Sequence, residues 1–197
     1  MKRLLAVALV LAAAPLHAQA RTEIAVLGGY TTAGGIGNTA PTIQDLEIAG
    51  GFTWGAQAGH FFTPNLGFEA SWARQDGELA FVNAAQRVEL FDVGVDQVLG
   101  GVAYRFGEET ARARPFVFAG LGATFFRAPD LESETKLALA LGAGVKASAG
   151  KRVGIRLQAR YNPTYLNDSG SDFCDPFGFC QGWLHQFEFM GGLVVGF

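Results

Sequence analysis

A histidine beside a serine and a carboxylate can activate a hydroxyl for hydrolysis, so the company kept by the three histidines is informative. His17 lies in an apolar N-terminal segment. His185 stands in "LHQFEF", where Glu188 falls on the opposite face of an alternating strand and no serine is near. His60 and His185 are expected on an apolar face near opposite ends of their strands, as interfacial polar residues. Cys174 and Cys180 have no neighbouring histidine to complete a zinc set. They bracket "DPFGF", a run of turn formers, so a disulfide closing this loop is expected. The glycines of "GGYTTAGGIG" are followed by no helix and no Lys-Ser/Thr, so they form no phosphate loop. No catalytic residue, metal set or cofactor site is expected, and the chain is not expected to be an enzyme.

The remaining chemistry is electrostatic. In "VGIRLQARYN" Arg156 and Arg160 alternate with Ile155, Leu157, Ala159 and Tyr161, a period of two that marks a strand between two environments. By the same alternation Glu23, Glu69, Asp92, Asp96 and Glu188 share interior faces with Arg105, Lys146, Arg156 and Arg160. Charges in one small interior must pair or incur a large desolvation penalty. A salt-bridge and hydrogen-bond network filling that interior is expected; a conducting polar path is the alternative.

The elements that must hold these charges are strands. Residues 1–20 read as a secretory signal peptide: Lys2 and Arg3, an apolar stretch, then Ala18-Gln19-Ala20. Losing it moves the formal charge from −3 to −5, which excludes an electrostatic nucleic-acid binder. Residues 21–197 form one domain with no apolar run long enough for a transmembrane helix, yet with 27 glycines, 17 phenylalanines and a mean hydropathy of +0.20. Alternation predicts strands near 22–30, 51–62, 66–74, 88–106, 114–126, 136–149, 153–165 and 183–197. The strand at 114–126 cannot be oriented, because Phe116 and Phe118 share a register with Gly120 and Gly122. The strand at 88–106 changes parity near Asp96-Gln97, read as a β-bulge. Short turns, "TPN" and "GKR", and the medium "GEETARA" alternate with longer segments at 31–50, 75–87, 127–135 and 166–182. Two aromatic belts are expected: Phe52, Trp54, Phe91, Phe125, Tyr161 and Trp183 at the long-loop end, and Phe61, Phe68, Tyr104, Phe106 and Phe197 at the other. Together these predict an all-β fold, an eight-stranded antiparallel up-and-down transmembrane β-barrel.

The C-terminal "FEFMGGLVVGF", with "LGFEASW" opening the third strand and "GVAYRF" closing the fourth, resembles the OmpA/OmpX-like eight-stranded outer-membrane barrels. The resemblance covers the barrel domain only, without a peptidoglycan-binding domain. It implies location in the Gram-negative outer membrane and a terminal signal, Phe197, read by the barrel-assembly machinery. It also implies a non-enzymatic role in membrane integrity or adhesion-like surface interaction. A narrow channel or small apolar-solute conduit is the alternative, and a lipid A-modifying enzyme a more distant one. The long segments are acidic, and a surface partner is expected through loops 31–50 and 166–182. Arg74, Arg87 and Arg127, at the outer rim, are expected to contact lipopolysaccharide.

Overall fold

The computed structural model describes residues 22–32, 34–35, 45–82, 87–127, 133–150, 152–166 and 182–197. Residues 1–20, where a signal peptide is expected, Cys174, Cys180 and much of the segments 31–50 and 166–182 lie outside the described residues. Ten strands follow one another: β1 (Thr22–Thr31), β2 (Gly34–Gly35), β3 (Asp45–Ile48), β4 (Gly51–Phe61), β5 (Leu66–Val82), β6 (Arg87–Arg105), β7 (Ala113–Arg127), β8 (Glu134–Ser148), β9 (Val153–Leu166) and β10 (Gly182–Gly196). The short β2 and β3 belong to the first long segment; the other eight form the wall. Each wall strand pairs antiparallel with its neighbours, and the β1–β10 and β5–β6 pairings close the cylinder. Closure removes the sheet edges that a membrane could not tolerate.

Alternation then assigns the two faces. In β4 the odd residues from Thr53 to Phe61 are buried and the even ones from Phe52 to His60 exposed. In β9 Arg156, Gln158 and Arg160 point inward while Ile155 and Leu157 point out. Small inward residues such as Ala138 and Ala140 fit the narrow bore.

The turns at one end are short and self-capped. Thr63 Oγ1 accepts from the Leu66 amide at 2.8 Å, and Asn65 Nδ2 donates to the Arg105 carbonyl at 2.7 Å, tying the β4–β5 turn to the end of β6. Gly107 follows β6 with φ of 83°, a left-handed conformation that favours glycine. The seam is held at this end too, where the Phe197 amide donates to the Thr22 carbonyl at 2.8 Å and the Phe197 ring faces outward.

Three expectations need correction, and one open orientation is resolved. The segment 75–87 is mostly strand, because β5 and β6 rise as a long hairpin of 17 and 19 residues, and β3 pairs with Leu79–Val82. About ten residues suffice to cross a membrane as a strand, so both strands of this hairpin are longer than such a span needs. The register break in β6 lies opposite Leu79/Ala80 rather than at Asp96-Gln97. Phe61 belongs to no belt; it points into the lumen. Phe116 and Phe118 also point inward, which orients β7.

One gap interrupts the wall. The β8–β9 ladder pairs Ala138 with Thr164 and Leu141 with Tyr161, but skips Leu139 and Ala140 opposite Asn162 and Pro163. Proline has no amide proton to give a ladder, so Pro163 accounts for half of the break.

Candidate functional site: the charged lumen

From the short-turn end upward, the lumen is filled in layers. In the lowest, Glu23 of β1 receives Arg105 from β6 on one carboxylate oxygen and Lys146 from β8 on the other. The Arg105 guanidinium lies 3.2 Å from the centre of the Phe61 ring. In the next, Glu69 of β5 is gripped by both arms of Arg156 at 2.8 and 2.9 Å and accepts from Gln57 Nε2. Arg156 is steadied by Gln158 Oε1 at 2.8 Å and lies 3.9 Å from the Phe116 ring centre. Above it Arg160 donates to Ser71 Oγ and Gln57 Oε1, stands 3.8 Å from Glu188, and faces Phe118 at 5.3 Å.

Arg105, Arg156 and Arg160 therefore each have a carboxylate nearby and a phenylalanine face. Delocalised, weakly hydrated guanidinium suits both, and a desolvated cation–π contact is worth up to about 2 kcal/mol. The rings need room, and glycines supply it: a Cβ on Gly144 would fall 2.6 Å from Phe116 Cζ, and one on Gly120 2.6 Å from Phe118 Cζ.

Above the charges comes a neutral polar layer. Asn162 donates to Gln97, Gln186 to Gln75, and the pairs Thr31–Thr53 and Thr124–Thr164 bridge across. Above that the lumen turns apolar, with Ile48, Val93, Val95, Phe126, Leu166 and Leu184 in one buried cluster.

Of the charges expected inside, Glu23, Glu69, Arg105, Arg156, Arg160, Glu188 and the partly covered Lys146 meet in the plug. Asp92 lies in β6, and its side chain is outside the described residues. Asp96 is a correction. It keeps the outward parity between inward Val95 and Gln97, and is buried against the outer wall by Trp72, Arg74 and Arg127. Arg114, inward at the short-turn end, went unnoticed in the sequence; it donates to the Pro64 carbonyl at 2.9 Å and caps the bore. The side chain of Arg87 is outside the described residues. His60 and His185 face outward, bonded to Thr22 and Tyr161. Among the described residues no group of three or more His, Cys, Asp or Glu could hold a metal ion.

Residues 5–183 match the family described as outer membrane protein beta-barrel domain. Among curated protein sequences there is no match. Among solved structures, Neisserial surface protein A is similar with a TM-score of 0.62 and 16% identity, over 88% of this chain and 97% of that one. The outer membrane protein OprG from Pseudomonas aeruginosa is similar with a TM-score of 0.59 and 11% identity, over 93% of this chain and 99% of that one. At these identities the likeness is one of fold.

Proposed function

This chain belongs to the outer-membrane β-barrel domain family, and on that premise we propose that it is a closed, non-enzymatic barrel acting through its outer face, in membrane integrity or surface interaction. The observation that supports this is the plug. Three successive layers of arginine, carboxylate and phenylalanine cross the bore, and their side chains are buried against one another. Moving such a plug aside would separate ion pairs in a low dielectric, which costs several kcal/mol. A bore closed in this way leaves the loops and the tall β5–β6 hairpin, with β3 along it, as the parts that meet partners. In this reading the short-turn end is periplasmic, as in barrels of this kind.

Purified protein in planar bilayers should show no steady open-channel current. Discrete, long-lived conductance steps from the folded wild type would sink the proposal.

A second reading, a conduit for small apolar solutes, is favoured by one specific observation. The lumen above the plug is apolar, and the skipped β8–β9 pairing opposite Asn162 and Pro163 lies beside the neutral layer just beneath it, so that a solute could leave sideways without crossing the charges. Cells whose lipopolysaccharide layer slows apolar solutes should then take up a small apolar dye faster with the protein than without it. Replacing Leu166 and Leu184 by asparagine should abolish the gain; equal uptake with and without the protein removes this reading.

A further inference from the structure

Among the described charges, Asp96 is the one that alternation assigned to the wrong side, and its true setting is a built site on the outer wall. The side chain is 3% exposed although it faces away from the lumen. Trp72 Nε1 donates to Oδ1 at 3.1 Å, and Trp72 meets Trp54 edge to face at 4.9 Å. The second oxygen, Oδ2, is buried and accepts no hydrogen bond; it lies between Arg74 Nη1 at 3.8 Å and Arg127 Nε at 3.4 Å. Asp96 thus holds two guanidinium groups, one from each neighbouring strand, without using up their donors. Asp76, itself exposed, takes Nε of Arg74 at 3.0 Å and leaves its Nη groups. Arg127 is 58% exposed, and among the described residues Asp96 is its ion-pair partner.

Between the two arginines the wall is notched. Gly94 pairs with Asp76 on one side and Arg127 on the other, and its outward face carries no side chain. A Cβ there would lie 3.2 Å from Arg74 Nη2 and 3.7 Å from the Arg127 carbonyl. The depth is that of a headgroup. Arg74 is eight residues above Leu66 at the short-turn rim, about 20 Å for a tilted strand, near the far edge of an outer-membrane apolar band. The tryptophan pair beside it is the kind of residue that settles at that boundary.

We propose that Arg74, Gly94 and Arg127, held by Asp96, form a binding site for a lipid phosphomonoester in the outer leaflet, of the kind carried by lipid A. One fork over a side-chain-free notch, with the exposed Arg127 fork on the next strand, suits a group with three oxygens and close to two negative charges better than a singly charged phosphodiester. Asp96 is a positioning residue: it keeps both forks against the wall where water is scarce. The inference rests on the outer-membrane reading, with the long loops outward.

The test uses the full-length mature chain folded into phosphatidylcholine vesicles containing diphosphoryl lipid A, dephosphorylated lipid A or phosphatidylglycerol, and measures the lipid retained by the barrel after detergent extraction. Wild type should retain diphosphoryl lipid A about tenfold better than either other lipid, as one or two charged hydrogen bonds give. Arg127→Ala and Asp96→Asn should lose most of that preference. Gly94→Val, which keeps every charge but fills the notch, should lose it as well. Arg112→Ala, at the opposite end, should not. Equal retention of the three lipids by folded wild type overturns the site, as does Gly94→Val or Arg127→Ala behaving as wild type. Phosphatidylglycerol held as well as lipid A overturns the phosphomonoester assignment. A chain that forms no heat-modifiable barrel in any vesicle overturns the outer-membrane reading and this site with it.

Discussion

Replacing Glu69 by alanine should destabilise the folded barrel by about 3–5 kcal/mol, the usual cost of breaking one side of a buried ion pair. Glu69 is the only carboxylate reached by both arms of Arg156 among the described residues, and it also accepts from Gln57. Its loss strands a guanidinium that is itself buried. The pair as a whole contributes far less than this, because bringing two ions into the bore consumes most of their attraction. Glu69→Leu combined with Arg156→Met should therefore recover most of the loss. Urea unfolding in vesicles, read by heat-modifiable migration, measures all three variants. A single alanine variant as stable as wild type would mean that the bore is wet enough to solvate Arg156.

Phe116→Ala should be of similar size, about 3–5 kcal/mol, but for another reason. The ring is buried, lies against Arg156 and fills the space left by Gly144. Alanine opens a void and removes the aromatic face from the cation. Phe116→Leu restores much of the volume and none of the face, so it should lose about 1–2 kcal/mol. The same unfolding assay separates the two contributions. Equal stability of the leucine and alanine variants would show that volume plays no part.

The architecture was legible because period two is strong wherever the lumen is polar. In β8, and in β9 up to Thr164, the inward residues are charged, polar or small, and the strand ends fall within two residues of expectation. The pattern fails where the lumen is apolar. Val93 and Val95 point inward near the mouth, so treating apolar as lipid-facing forces a false change of parity in β6 and sends Asp96 to the wrong side. Phe61, Phe116 and Phe118 mislead in the same way, since each faces inward only because an arginine from a distant strand covers it. Their one local clue is company: Phe116 and Phe118 share parity with Gly120 and Gly122, residues of the lumen kind. No sequence window contains both Arg156 and Phe116, so their stacking could not be read from either. The buried position of Asp96 likewise depends on Trp72 and Arg127, which lie on the two neighbouring strands.

The seam between β1 and β10 also constrains how such a barrel can come into being. Glu23 sits opposite Gly196 across that seam, while its cationic partners arrive on β6 and β8. Until β10 docks, β1 presents an unpaired edge, and the loop that must close is the longest in the molecule. A sheet joined by neighbouring hairpins can therefore grow strand by strand with its future interior still wet, and Glu23 and Glu69 keep their hydration throughout that growth. Pairing of the first strand with the last turns an open, hydrated ribbon into a dry cylinder. The loss of water and the gain of the ion pairs thus fall within one late and concerted step.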